Sequence, residues 1–192
     1  MRHSLFLIAA IMLSACSGLQ PNSEVEEKKI TVERSAKYND AVSSMKQKKY
    51  KKALALFRDV IHAQPNSSNA HTNMGIIFTA QKSLNEAENA FNHALRIKPN
   101  NVYALNQLGI LYRQLGQFAK AKESYLKAIS VDSSYAKAHL NLGILYDLYL
   151  YDLPKAANEF KTYLELKGTK DKKISNWILD IERRYKKSQA KK

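Results

Sequence analysis

Three glycines recur along the 192-residue chain at a fixed spacing of 34 residues: Gly75, Gly109 and Gly143. The same spacing relates a small and an aromatic residue at two further phases: Ala53, Ala87 and Ala121, and Phe57, Phe91 and Tyr125. Repeats of this length are single supersecondary units, which bury their apolar faces only against their neighbours. The spacing therefore predicts stacked helical hairpins rather than one globular core, and such a stack offers a curved surface to a partner.

The repeating unit has four copies, which begin at Arg34, Ser68, Val102 and Ala136. Small residues at the eighth and twentieth positions allow the two helices of a hairpin to approach closely. Aromatic residues at the eleventh and twenty-fourth positions are expected to fill the space between successive hairpins. They are Phe78, Tyr112 and Tyr146, and Phe57, Phe91, Tyr125 and Phe160. Pro65 and Pro99 follow the second helix of their units, where proline ends a helix.

Together these positions resemble the tetratricopeptide repeat. The resemblance implies an all-α fold, a right-handed superhelix of αα-hairpins with about four repeats over residues 31–168. Three features depart from the family pattern. The opening helix of the first unit lacks the glycine and the aromatic residue and has Ala41 and Ser44 in their places. Ser133 replaces the expected proline of the third unit, and one extra residue between Asp147 and Leu153 shifts Phe160 by one position. We expect this insertion to lengthen the first helix of the fourth unit or to bulge the turn before Pro154.

Residues 169–192 are predicted to form a capping helix and a basic tail. Ile174, Trp177, Ile178 and Ile181 follow the spacing of one apolar helix stripe, which predicts packing over the last hairpin. The chain carries a formal net charge of +14. The segment from Lys167 to Lys192 contains ten basic and three acidic residues. Such a tail favours anionic lipid headgroups, cell-wall carboxylates or an acidic protein surface. The alternative is that these are ordinary solvated helix faces.

The N-terminus is typical of a secretory signal, and residues 1–15 are assigned to a signal peptide. An apolar run from Leu5 to Leu13 precedes Leu-Ser-Ala-Cys, which resembles the bacterial lipobox and ends at Cys16. The resemblance implies a covalent lipid on Cys16 as a membrane anchor, and no other cofactor is expected. Ser17 after the cysteine implies the outer membrane, facing the periplasm. Residues 16–30 are polar and are interpreted as the lipidated cysteine and a flexible tether; an ordinary signal peptide with a free thiol is the alternative.

In tetratricopeptide repeats the first helix of each hairpin lines the concave wall, and the resemblance implies that the sixth and ninth positions point into it. The sixth position holds a carboxamide in every unit: Asn39, Asn73, Gln107 and Asn141. The ninth holds an aliphatic residue: Val42, Ile76, Ile110 and Ile144. Carboxamides donate and accept hydrogen bonds, so these two rows predict a groove for an extended peptide with alternating apolar side chains. The alternative is that both rows only brace neighbouring helices.

Other kinds of site are not expected from the sequence. The chaperone-tail receptors of the same family hold a carboxylate with lysine and asparagine at the fifth and ninth positions, but the first unit has Tyr38 and Val42 there. The histidines are spread over the units without a metal-ligand spacing, and no nucleotide-binding or nucleophile motif occurs. We therefore expect no metal, no enzymatic activity and, in the periplasm, no nucleic acid partner.

The functional hypothesis is a scaffold, anchored in the outer membrane, that holds a protein partner in its concave groove. In this respect the chain resembles the small tetratricopeptide lipoproteins of type IV pilus biogenesis, which help a secretin to assemble. One alternative is an adaptor that recruits peptidoglycan hydrolases or synthases. A second is a regulatory or enzymatic subunit that acts through the basic C-terminal segment.

Overall fold

The computed structural model describes residues 23–168 and 171–190, and these ranges contain helices and no strand. Their bounds are α1 Ser23–Lys46, α2 Tyr50–Ala63, α3 Ser68–Ala80, α4 Leu84–Ile97, α5 Val102–Gln114, α6 Phe118–Val131, α7 Ala136–Leu145, α8 Leu153–Lys167 and α9 Lys172–Gln189. Consecutive helices pair as hairpins, with α9 packed on α8. We call α1, α3, α5 and α7 the A helices and α2, α4, α6 and α8 the B helices.

Each glycine at the eighth position lies directly beneath an aromatic ring of its own hairpin. A Cβ atom at Gly75 would be 2.5 Å from Cε1 of Phe91, and one at Gly109 would be 2.5 Å from Cε1 of Tyr125. The third pair is looser, with 2.7 Å between such an atom at Gly143 and Cε1 of Phe160. The 34-residue pattern thus follows from a steric requirement, because the buried ring occupies the volume that a Cβ would need.

The hairpins share one continuous apolar interior from the second repeat to the last helix. Phe91, Tyr125 and Phe160 belong to the same buried cluster as Leu111 and Ile181. A second cluster joins α1, α2 and α3 around Phe57. The aromatic rings therefore fill their own hairpins and also belong to the interior that links successive hairpins.

The extra residue of the fourth unit lies in a π-helical turn at Tyr146–Leu150, which continues α7. A π-helical turn absorbs a single inserted residue because its hydrogen bonds span one residue more than those of an α-helix. The fold then returns to the repeat pattern, since Ala156 and Phe160 are fully buried. Of the two outcomes expected for the insertion, a longer first helix or a bulged turn before Pro154, the structure shows the longer helix.

At the N-terminus the first helix begins earlier than the sequence analysis expects. α1 starts at Ser23, inside the segment 16–30 that was interpreted as a tether, and runs for 24 residues. Neither proline nor glycine occurs between Pro21 and Lys46, so nothing in this stretch interrupts a helix. The signal peptide assignment and Cys16 lie outside the described residues.

The last helix covers the open side of the fourth hairpin. Asp171 caps it by accepting hydrogen bonds from the main-chain N–H groups of Lys173 and Ile174. Ile174, Ile178 and Ile181 are buried, as the apolar stripe predicts. Trp177 lies at the rim of this contact, 37% exposed, with its ring centroid 5.7 Å from that of Phe160.

Candidate protein-binding groove

The A helices lie side by side and form one wall of the molecule. Neighbouring A helices contact each other directly, α1 with α3, α3 with α5, and α5 with α7. The four aliphatic residues of the ninth position occur once on each of these helices, and each is half-buried: Val42, Ile76, Ile110 and Ile144. They contact the clusters of the interior and still keep part of their surface open. We call them the apolar row.

The carboxamides of the sixth position form bonds between the A helices. Nδ2 of Asn73 donates to the hydroxyl of Tyr38 at 2.8 Å, and Nδ2 of Asn141 donates to Oδ1 of Asn106 at 2.9 Å. Each of these bonds connects one A helix to the preceding one. Asn73 is almost completely buried, whereas Asn39 on α1 is exposed. In two units the amide nitrogen therefore already has a partner within the wall.

Gln107 is half-buried, and Tyr103 lies one turn before it on α5. Burial raises the pKa of Tyr103, the side chain of Gln107 lowers it, and the nearby Tyr38 raises it again. Tyr38 is on α1 and Tyr103 is on α5, so they belong to A helices that are separated by α3. Side chains from helices two places apart approach each other only on the inner side of a curved wall. Tyr38 holds the fifth position of its unit and Tyr103 the second, so this pair places the second and fifth positions on the concave side.

Tyrosine hydroxyls are a feature of the groove that the sequence analysis missed. Burial raises the pKa of Tyr38, and it raises the pKa of Tyr135 to about 12, with Tyr103 and Asp132 adding to the latter shift. A tyrosine is already protonated at neutral pH, and these raised pKa values extend that state to higher pH, so all three hydroxyls keep a hydrogen to donate. A signal was present in the eleven tyrosines of the chain, but these three do not share one repeat position.

The wall ends in a cavity of about 430 Å³ between the fourth hairpin and α9. Its apolar side is formed by the last member of the apolar row together with side chains of the π-helical turn, α8 and α9: Ile144, Leu148, Phe160 and Trp177. Its polar rim consists of Asp147, Asp180 and Arg184. The guanidinium of Arg184 bonds to both carboxylates, and the bond to Asp147 is the largest cause that raises the pKa of Arg184.

The histidines that share the fourth repeat position have structural partners. Nδ1 of His139 is 2.7 Å from a carboxylate oxygen of Glu159, and its Nε2 is 3.1 Å from the carbonyl oxygen of Ser133. His71 stacks on His93 with 4.1 Å between ring centroids. Within residues 23–168 and 171–190, no group of three or more histidine, cysteine, aspartate or glutamate side chains is placed to hold a metal ion. In the same ranges, no helix is both long and apolar enough to cross a membrane.

The fold and this wall together define a helical-repeat solenoid, a class of protein that presents an extended inner surface. Three models of the tetratricopeptide repeat family match the chain, at residues 44–106, 90–123 and 109–147. Together they span more than half of it. The chain therefore belongs to the tetratricopeptide repeat proteins, as the repeat pattern predicts.

Several solved structures have the same fold. The structure titled as a functional characterisation of Pseudomonas aeruginosa pilF has a TM-score of 0.75 at 18% identity and covers 83% of this chain and 72% of that one. A thermophilic tetratricopeptide protein of Thermus thermophilus gives 0.68 at 20% identity, covering 82% and 86%. The first repeat domain of Spaghetti (RPAP3), bound to the HSP90 peptide SRMEEVD, gives 0.57 at 21% identity, covering 62% and 92%. No curated protein is significantly similar to the chain in sequence.

Proposed function

We propose that this protein is a scaffold, anchored in the outer membrane, that holds a partner protein or peptide in the concave groove. In this way it assists the assembly of an envelope machine such as a type IV pilus or its secretin. The observation that carries the proposal is the apolar row, which runs over all four A helices and stays half-exposed.

The chemistry of the groove fits an extended peptide with apolar side chains. Neighbouring helices pack about 8–10 Å apart, so the apolar row offers repeated contacts along the wall rather than one deep pocket. Beside it the hydroxyls of Tyr38, Tyr103 and Tyr135 supply polar groups for a peptide main chain. The cavity next to Ile144 would receive one larger apolar side chain at the end of the segment.

The cellular setting rests on the sequence and on the fold. Cys16 in its lipobox-like context supports a lipid anchor, and Ser17 after it supports the outer membrane. The pilus setting is supported by the resemblance to small tetratricopeptide lipoproteins of pilus biogenesis and by a fold shared with pilF. A related fold that covers most of this chain holds a short peptide in RPAP3.

The groove is tested by placing a photoreactive amino acid at Ile110, in the middle of the apolar row, and irradiating intact cells. Crosslinking of one specific envelope protein is expected, because a bound segment would lie against this position. The matched control is the same amino acid at Leu126, which is exposed on the B helix α6. Equal capture from both positions, or none from Ile110, would contradict recognition by the groove.

The anchor is tested separately by labelling cells with a clickable palmitate analogue. The natural protein should be labelled and should be recovered with the outer membrane, and Cys16→Ser should lose both properties. Labelling that persists in Cys16→Ser would refute lipidation at this residue. The groove experiment would still be informative in that case.

A further inference from the structure

Each turn that joins an A helix to its B helix contains one residue with a left-handed backbone conformation. It is Lys48 in the first turn (φ 58°), Lys82 in the second (φ 62°), Gly116 in the third (φ 73°) and Tyr151 in the fourth (φ 54°). This conformation is strained for a residue with a Cβ, whereas glycine adopts it freely. The third turn has the favourable residue, Gly116. The other three keep a side chain at a position where glycine would be more stable.

These four turns lie along one edge of the molecule, which we call the A–B edge. The A helices run parallel to one another and each is followed by an antiparallel B helix, so all their C-terminal ends reach the same side. α9 packs antiparallel to α8 and therefore ends on this side as well, with Lys186 and Lys187 in its last turn. The opposite edge carries the N-terminal ends of the A helices.

The A–B edge is cationic, and its charge is concentrated in the first turn. Residues 46–52 contain five lysines and no acidic residue, and all five are exposed: Lys46, Lys48, Lys49, Lys51 and Lys52. Within the part of the chain that the structure describes, none of them pairs with a carboxylate. Lys82 adds a further exposed charge at the second turn.

Three carboxylates of the fourth turn and α9 already have a cationic partner. Asp152 is 2.6 Å from Nζ of Lys155 in the fourth turn. On α9, Asp180 bonds to Arg184, and Glu182 is 2.9 Å from Nζ of Lys161 on α8. Glu86, in the first turn of α4, is the acidic group closest in sequence to Lys82. The lysines of the first two turns therefore dominate the field in front of the edge.

We infer that the A–B edge binds an acidic segment of a partner protein, and that Lys48 and Lys82 contribute to this binding at the expense of stability. Side chains kept in a strained backbone conformation are typical of functional surfaces. An acidic protein segment complements unpaired, exposed lysines that follow one another along an edge. This surface is distinct from the concave groove.

The choice of a protein rather than the anchoring membrane rests on the proposed lipid anchor. α1 has 24 residues and is therefore about 36 Å long. The chain from Cys16 to Ser23 spans at most about 25 Å even when fully extended. The A–B edge lies at the far end of α1 and is therefore the part of this helix most distant from Cys16 along the chain, which favours a protein partner over the anchoring membrane.

The experiment replaces both lysines with glycine in the full-length protein, as Lys48→Gly with Lys82→Gly. Affinity for a fluorescent glutamate-rich peptide is measured by anisotropy at low and high salt, and thermal stability is measured on the same samples. Peptide binding should weaken about five- to tenfold at low salt, because two screened charge contacts are lost. The melting temperature should rise by about 3–6 °C, because the strain at both turns is removed.

Two control variants separate position from charge. Lys48→Arg with Lys82→Arg keeps both charges and should bind the peptide as the natural protein does. Lys98→Ser with Lys167→Ser removes the same charge from the opposite edge and should leave binding within about twofold. Binding that falls equally in this control would show that net charge alone decides, and the proposal would be overturned.

Two further results would also overturn the proposal. One is peptide binding that is unchanged in the glycine variant. The other is capture by nanodiscs of phosphatidylglycerol that depends on Lys48 and Lys82 more strongly than peptide binding does, which would assign the edge to a lipid surface. Neither readout requires a working anchor or groove, so failure here leaves the proposed function untouched.

Discussion

Replacing Gly109 with alanine tests the steric rule that underlies the repeat. The new Cβ would lie 2.5 Å from Cε1 and 2.6 Å from Cδ1 of the Tyr125 ring. This ring is completely buried, so it must retreat by about 1 Å to reach ordinary contact distance, or the hairpin must open. Overpacking into a contact this short lies at the upper end of the usual range, at about 2–3 kcal/mol. Alanine returns about 1 kcal/mol through its higher helix propensity.

The net expectation is a loss of about 1–2 kcal/mol, measured as the free energy of unfolding in urea by circular dichroism. A double-mutant cycle identifies the cause. Tyr125→Leu leaves room for the new methyl group, so Gly109→Ala should cost less in that background than alone. A Gly109→Ala variant that is as stable as the natural protein would refute the reasoning, because the hairpin would then tolerate a wider separation. Additive losses would show that the tyrosine ring is not what excludes the Cβ.

Two predictions concern pH. Burial, followed by the hydrogen bond to Glu88, raises the pKa of Tyr112 from 10.0 to about 12, so its contribution to stability is complete below pH 10 and is lost as the pH rises towards 12. Tyr112→Phe should therefore lose less stability than the natural protein over this window, as followed by chemical unfolding at several pH values. Burial, then His93 and Arg96, lower the pKa of His71 from 6.5, so its contribution is complete above pH 6.5 and is lost as the pH falls further. His71→Gln should show a shallower loss below pH 6.5, and identical slopes would contradict the assignment in either case.

The fold was predictable because its decisive requirements are local. A glycine under an aromatic ring, 16 residues apart in Gly75 and Phe91, is a property of one hairpin and leaves a direct mark in the sequence. The insertion in the fourth unit was visible for the same reason, since it shifts Phe160 by one residue against the repeat. The start of α1 was missed because polar composition indicates little burial but does not prevent a helix.

The groove was predictable only as a set of positions. The repeat pattern assigns Asn73 and Asn141 to the same face, but which atoms they meet depends on how far each hairpin rotates against the previous one. Their partners, Tyr38 and Asn106, both occupy the fifth position, which holds a different kind of side chain in every unit. A repeat position whose side chain differs in chemical type from unit to unit gives no periodic signal in the sequence. The tyrosine hydroxyls of the groove were missed for a related reason, because Tyr38, Tyr103 and Tyr135 occupy three different repeat positions.

Because sixth-position carboxamides form hydrogen bonds between the A helices, replacing such a side chain with alanine should change the stability of the fold. Asn141→Ala would leave Oδ1 of Asn106, which is 1% exposed, without its donor from α7. Leaving a buried acceptor unpaired costs about 1–3 kcal/mol, so the free energy of unfolding should fall even without any partner. Asn39→Ala is the matched control, because Asn39 is exposed and should leave stability within about 0.5 kcal/mol.

Measuring stability and partner capture on the same two variants separates the roles of the carboxamide row. If the row only braces the A helices, Asn141→Ala lowers stability and weakens capture only near its melting transition, whereas Asn39→Ala changes neither. If the row also contacts the partner, Asn39→Ala weakens capture at unchanged stability. Because the amide nitrogens of Asn73 and Asn141 are already engaged, we expect the first pattern, with binding carried by the apolar row.

Burial of apolar surface is little affected by salt, so capture in the groove should persist at ionic strengths that abolish binding to the A–B edge.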